Sequence, residues 1–247
     1  MVRSFWVNEF AHYDRSFRQE VVSPIQNKVG QLFLSPPLRN VLGQVSTKIN
    51  FRFIMDRRRI FIANLNKGRI GEAHSSLLGS LLVTGFEIAA LSRSDTLPHQ
   101  REDFFLYADE FHHYATDSFA SILSEARKYG LALTLAHQYL GQLSEAVSTA
   151  VLGNAGTFLA FRVSEADAAV LERQFGGGFL SDRFTALENY ELCARLLNRE
   201  PFLARSLPPL ETHRQRRLAV IRHSRRKYST RKKIVEDRID RWLKSRH

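Results

Sequence analysis

Apolar residues in this chain gather in short unbroken runs, and longer stretches with helical spacing separate them. Ile60-Phe61-Ile62-Ala63-Asn64-Leu65, Phe104-Phe105-Leu106-Tyr107-Ala108, Leu131-Ala132-Leu133-Thr134-Leu135-Ala136 and Thr157-Phe158-Leu159-Ala160-Phe161 have the length and character of strands. Runs without polar alternation suit strands covered on both faces, as in a parallel sheet. Residues 190–197 read as a last, half-exposed strand, and residues 201–209 as an extended exit bounded by prolines.

Between the runs the period changes. Residues 73–92 predict a long helix with Leu77, Leu78, Leu81, Leu82, Phe86, Ile88 and Leu91 on its apolar side. Gly79 and Gly85 inside it suit close packing better than a break. Residues 117–129 predict a helix capped by Thr116 or Asp117 and ended by Gly130, and residues 142–150 a short one. Residues 165–175 place Ala168, Leu171 and Phe175 on one face, and Gly176-Gly177-Gly178 stops that helix. Ahead of residue 60, Phe10, Tyr13 and Phe17 have helical spacing, and residues 15–29 continue as helix around Pro24. Ser35-Pro36-Pro37 opens the next helix, since serine caps and proline is accepted in a first turn. Residues 55–59 read as a turn. Alternating strands and helices give an α/β layer fold with a mostly parallel sheet.

Length and composition permit one substantial core: 247 residues, 44% of them hydrophobic. The single cysteine, Cys193, excludes an intrachain disulfide and a cysteine-rich zinc site, and it suits a reducing compartment. No apolar run approaches the ~18–20 residues that cross a bilayer, and the first residues lack the apolar segment of a signal peptide. Net charge is +11, which favours an anionic partner, nucleic acid before lipid. From Arg214 onward there are fourteen Lys or Arg against three acids, a surplus equal to that of the whole chain. The basic signal therefore belongs to the tail. Its clusters, Arg225-Arg226-Lys227 and Arg231-Lys232-Lys233, lie six residues apart and do not share a narrow helical face. That favours a flexible arm on DNA phosphates over an amphipathic membrane helix, with a solvated extension as the alternative. The expected organisation is a helical segment over residues 1–50, an α/β core over 51–210 and a basic tail over 211–247.

The candidate chemistry lies at strand ends. Asp109-Glu110 closes the run 104–108, Gln138 follows the next strand, Arg162 the one after, and Gly68 the strand at 60–65. Open α/β sheets bind ligands at the carboxyl ends of their strands. Two adjacent carboxylates there suit Mg²⁺ with a nucleotide phosphate, the first toward the metal and the second toward an attacking water. A strand followed by a solvated turn explains the pair equally well. His112 and His113 invite a metal reading, against which adjacent side chains point apart and no third ligand is evident. No Gly-x-x-x-x-Gly-Lys-Ser/Thr occurs anywhere, so the phosphate-cradling loop is absent from these residues.

Leu106-Tyr107-Ala108-Asp109-Glu110-Phe111, Ser124-Glu125-Ala126-Arg127-Lys128-Tyr129-Gly130-Leu131, Ala136-His137-Gln138-Tyr139-Leu140 and Gly153-Asn154-Ala155-Gly156-Thr157 leading to Phe161-Arg162-Val163 follow one another closely. In that order they resemble the C-terminal half of the motor domain of type IV secretion and conjugation coupling proteins. These are TraG/TraD-like members of the HerA/FtsK-like hexameric P-loop ATPases. The resemblance extends to about Pro209 and omits the tail. It implies a RecA/FtsK/HerA-like three-layer fold, truncated ahead of Met1, and an ATP- and Mg²⁺-dependent motor that translocates DNA. The partners it implies are DNA, other copies in a homo-oligomeric ring of hexamer type, and secretion-channel or relaxosome proteins. Its implied location is the cytoplasm, at the inner face of the bacterial inner membrane.

The same resemblance implies roles by motif position. Asp109 would sit on the Mg²⁺ side, Glu110 would polarise the attacking water, and Gln138 would sense the γ-phosphate. Arg127 would be an arginine finger reaching a neighbouring subunit. Arg162 would be a second phosphate or interface arginine, with a packing or salt-bridge role equally open. Arg127 as a solvated helix residue and Gln138 as a helix cap are the plainer alternatives. The missing phosphate loop keeps a second function in view: a catalytically inactive DNA-binding or ring-docking module of the same family. A HerA-like DNA-processing motor is a third.

Overall fold

A computed structural model describes residues 2–116, 119–177, 179–210 and 216–245. The expected cap at Asp117, together with Gly178 and Arg214, lies outside the described residues. In chain order the main elements are α1 (Arg15–Leu34), α2 (Pro36–Leu42), α3 (Phe51–Asp56), α4 (Glu72–Leu91), β1 (Phe104–Ala108), α5 (Phe119–Glu125), β2 (Leu131–Leu135), α6 (Glu145–Asn154), β3 (Thr157–Ala160), α7 (Glu165–Gln174), α8 (Ser181–Thr185), β4 (Glu191–Leu196), β5 (Phe202–Arg205), α9 (Arg217–Tyr228) and α10 (Lys232–Lys244). The chain divides into two compact units, Met1–Ile49 with Arg216–His247, and Asn50–Gln215.

The larger unit is α/β. β1 and β2 pair in parallel, Phe104 opposite Leu131 through Ala108 opposite Leu135. The β1 run alternates: Phe104, Leu106 and Ala108 turn inward, whereas Phe105 and Tyr107 are 59% and 72% exposed. Helices therefore cover one face of this pair among the described residues, and the expected burial on both faces is not met. α4, α5 and α6 supply the cover, through Val83, Phe86, Ile122, Val147 and Val151, with Ala126 just after α5. The final strands depart from a parallel sheet. β3, β4 and β5 form a separate antiparallel sheet, with β5 in the stretch expected to be a plain exit. The residues between β4 and β5 form a tight connection, which joins antiparallel neighbours and cannot make a parallel crossover. This sheet has its own core with α7 and α8, built on Ala168, Leu171, Phe175, Phe184 and Cys193.

Residues 60–65 are not a strand. They pair with no strand among the described residues, Ile60 and Ile62 are 91% and 79% exposed, and Phe61 packs edge-on against Phe51 and Phe86. The expected turn at 55–59 instead begins inside α3, because Asn50 caps it by accepting from Phe53 N at 2.9 Å. α4 buries Ser75, Gly79, Val83, Phe86, Ala89 and Ala90, and its leucines flank that face, with Leu81 and Leu91 exposed. Small residues win the core because a Cβ at Gly79 would overlap the Tyr114 ring, and one at Gly85 the Phe51 ring. The close-packing reading of both glycines holds. By length and composition Glu72–Asp95 is apolar enough to cross a bilayer, contrary to expectation. Its serines, glycines and histidine interrupt any continuous apolar run while barely lowering its average.

In the smaller unit α1 runs through Pro24, with Asp14 accepting from Phe17 N at 3.0 Å as its cap. The chain breaks at Tyr13, so Phe10, Tyr13 and Phe17 touch edge to face without sharing one helix. The tail is helical and packed. Val235 is buried, Asn40 donates to Glu236 at 3.2 Å, and Ile239 lies against Gly43. The flexible-arm expectation fails because Ser229-Thr230 divides the tail. Arg225-Arg226-Lys227 ends α9, while Arg231 precedes α10 and Lys232 and Lys233 open it, so one continuous helical register never applied.

Candidate functional site

The parallel ladder continues past the strand ends. Ala136 N donates to Ala108 O at 2.9 Å and Phe111 N to Ala136 O at 3.0 Å, which brings the turn after β1 beside the turn after β2. Asp109 and Glu110 form the first turn. Asp109 is exposed, and its Oδ1 accepts from Glu110 N at 3.0 Å. Glu110 has left-handed backbone angles (φ 51°, ψ 40°), a conformation that costs a non-glycine residue about 1–3 kcal/mol. The reward is position: a sharp turn swings its carboxylate across to the neighbouring strand end. Gln138 Nε2 donates to Glu110 Oε1 at 2.8 Å. The turn after β2 is fixed by Gln142, whose Oε1 accepts from Gln138 N at 3.1 Å and Tyr139 N at 3.3 Å. Gln142 therefore does the capping considered for Gln138, whose own side chain is given to Glu110.

The histidines add a second layer. The residues Phe111–His113 form a 3₁₀ turn, and His112 and His113 do not point apart. Their ring centroids are 3.8 Å apart, and Glu110, His112 and His113 bring potential ligand atoms within 4.8 Å of one another. The expectation was framed for one regular element; a left-handed residue followed by a tight turn folds neighbours together. Burial, then the charge of His113, lowers the pKa of His112, with Glu110 opposing. Burial likewise lowers His137, whose ring meets Phe111 edge-on at 5.2 Å. Lys67 lies against His113 Nε2, and Glu72 Oε1 is 3.7 Å from His113 Nδ1. Lys67, Glu72 and Gln142 were missed by sequence reasoning. The first two are remote in sequence, and Gln142 needed the path of the turn.

Arg127 is exposed on the 3₁₀ turn Ala126–Tyr129, which precedes β2. It stands at the amino end of the parallel pair, whereas Glu110 and Gln138 stand at the carboxyl end. Five residues of sheet separate them, roughly 16 Å at about 3.3 Å per residue. Arg162 is exposed at the bend after β3, in the antiparallel sheet, and among the described residues no contact joins it to Glu110 or Gln138. Asp109 and Glu110 offer the oxygen donors that Mg²⁺ prefers. The serine or threonine and the lysine that complete a nucleotide site are absent from the sequence, so the chain fits half of that group's site.

No protein-family model matches this chain, and no curated protein matches it. Among solved structures it is similar to the bacterial conjugative coupling protein TrwBdeltaN70, at 13% identity and a TM-score of 0.46 over 57% of this chain. It spans 40% of that protein's length. It is also similar to the genome packaging NTPase B204 from Sulfolobus turreted icosahedral virus 2. In complex with AMPPCP the match covers 67% of this chain and 74% of that one, at 14% identity and a TM-score of 0.42. In complex with sulfate it covers 54% and 64%, at 17% identity and a TM-score of 0.39. These are similarities of partial fold, and the functional reading below rests on the chain's own residues.

Proposed function

We propose that this chain carries the water-activating half of an ATP-driven motor that translocates DNA, of the coupling-protein kind that serves conjugation or type IV secretion. The observation that carries the reading is the 2.8 Å hydrogen bond from Gln138 to Glu110 across the carboxyl ends of two parallel strands. A carboxylate held by an amide at that place can orient a water, and the amide can exchange its partner for a γ-phosphate oxygen. Asp109, one residue earlier, would be the Mg²⁺-side carboxylate. The phosphate loop has to come from outside these 247 residues. When it does, the nucleotide and its Mg²⁺ would supply the leaving group and charge neutralisation, and Glu110 would take the proton of the attacking water.

Arg127 stands at the opposite end of the strand pair from its own Glu110, which favours a finger offered to a neighbour in a ring. Such an arginine can supply about 10³–10⁵ in rate. The experiment mixes Arg127→Ala and unaltered subunits, each joined to a segment bearing Gly-x-x-x-x-Gly-Lys-Ser/Thr. Activity should fall more steeply than in proportion to the altered fraction. Strictly proportional loss would show that Arg127 serves its own subunit or nothing. The basic helices α9 and α10 are the natural contacts for DNA phosphates in this reading, through Arg225, Arg226, Lys227, Arg231, Lys232 and Lys233.

A further inference from the structure

His112 holds a buried, unsatisfied nitrogen. Its side chain is 10% exposed, and its Nδ1 has no hydrogen-bond partner, with Glu110 Oε2 at 3.6 Å. A buried polar atom left without a partner is costly, and its retention calls for a reason. The His113 ring lies beside that of His112, tilted by 45°, and Glu72 lies behind His113 at 3.7 Å, as carboxylates do that orient metal-binding imidazoles. Against the other nitrogen of His113 lies the ammonium of Lys67, so the mouth of the cluster already holds a cation.

We propose that Glu110, His112 and His113 form a binding site for a divalent transition metal of the zinc class. Two imidazoles and one carboxylate match the protein ligands of open zinc sites, which leave a fourth position free. Mg²⁺ and Ca²⁺ prefer oxygen donors throughout, so this site is chemically distinct from a nucleotide-bound Mg²⁺ beside Asp109. The three residues already bring potential donor atoms within 4.8 Å of one another. Lys67 has to withdraw on metal entry, because two cations cannot share the mouth of the cluster. Glu110 serves both this site and Gln138. Gln138 holds Oε1 while Oε2 faces His112, so metal occupancy would draw charge from the same carboxylate, a consequence for hydrolysis that rests on the proposed function, while the site itself does not.

The test uses the whole chain, Zn²⁺ alone and a chromophoric chelator competing at neutral pH, with folding followed by circular dichroism. One Zn²⁺ per chain is expected. His112→Ala and His113→Ala should each weaken binding at least about 10–100-fold, the size seen even for outer-shell partners of metal sites. Lys67→Ala should tighten it, while the exposed His99→Ala leaves it unchanged. Binding that survives both histidine substitutions, or that is lost with His99→Ala, overturns the proposal. If the histidine variants fail to fold, Lys67→Ala decides: no tightening would overturn it equally. ATP hydrolysis is not read, so failure here is separable from failure of the motor reading.

Discussion

The two ends of the β1–β2 pair are built to opposite specifications. The amino end is fastened by Arg93, which is 1% exposed. Its guanidinium donates to Glu102 O at 2.8 Å and Tyr129 O at 3.0 Å, just ahead of β1 and β2, and its Nε to Asp56 at 2.9 Å. One side chain thus ties the entries of both strands to α3. Around it Arg101 lies over the Tyr129 ring at 5.2 Å and bonds Thr96 O at 2.9 Å. The carboxyl end has no such anchor. It carries a left-handed glutamate, a single amide–carboxylate bridge at a half-open surface, and a histidine nitrogen without a partner. Charge at the amino end is buried and, Arg93 Nη2 apart, spent on backbone carbonyls and Asp56, whereas the carboxyl end carries the residues of the proposed chemistry.

That contrast can be broken most forcefully at Arg93. Arg93→Ala leaves two carbonyls without their donor and Asp56 with Arg52 as its remaining partner, and unfolding free energy should drop by about 3 kcal/mol. Denaturant titration measures it; a loss under about 1 kcal/mol would mean the amino end is not the anchor. Next is Gly79→Ala, whose added methyl overlaps Tyr114 next to the carboxyl-end turn. It should cost about 1–3 kcal/mol, read as a shift in the urea midpoint.

Acid should act at the carboxyl end. His112 and His137 both have lowered folded pKa values, so the unfolded state binds more protons in acid. Their contribution is complete above the ordinary histidine value of about 6.5 and is lost as pH falls through their lowered values. The melting temperature should therefore decline below about pH 6.5. His137→Gln should flatten that decline, and an unchanged slope would remove the buried ring as its cause. The smallest effect concerns Cys193, which is buried and whose thiol burial pushes up. Alkylation under native conditions should be slow and should accelerate only on unfolding.

The sequence made some of this arrangement legible and hid the rest. The strands at 104–108 and 131–135 and the helix over 72–91 were legible from apolar runs and helical spacing, and Glu110 and Gln138 were legible as strand-end residues, while their hydrogen bond was not. The segment at 60–65 was misread because strand character was present without a partner strand, and pairing is a tertiary property. The antiparallel sheet was hidden because residues 202–205 read as an exit, so the short connection at 197–201 had no second strand to join, and the long connection at 161–190 carries no signature of direction. The histidine cluster was discounted by a rule for regular elements, and only the positive φ of Glu110 undoes that rule. Arg93 left no local sign at all, since its partners lie on three separate elements.

The central claim is that Glu110 activates water for ATP hydrolysis once a phosphate loop is supplied. Single-turnover hydrolysis, with the chain joined to a segment carrying Gly-x-x-x-x-Gly-Lys-Ser/Thr, tests it most directly. Glu110→Gln should retain bound ATP and slow the chemical step by about 10²–10⁴, the usual range for loss of a general base. ATP cleaved at an undiminished rate by Glu110→Gln would contradict the account.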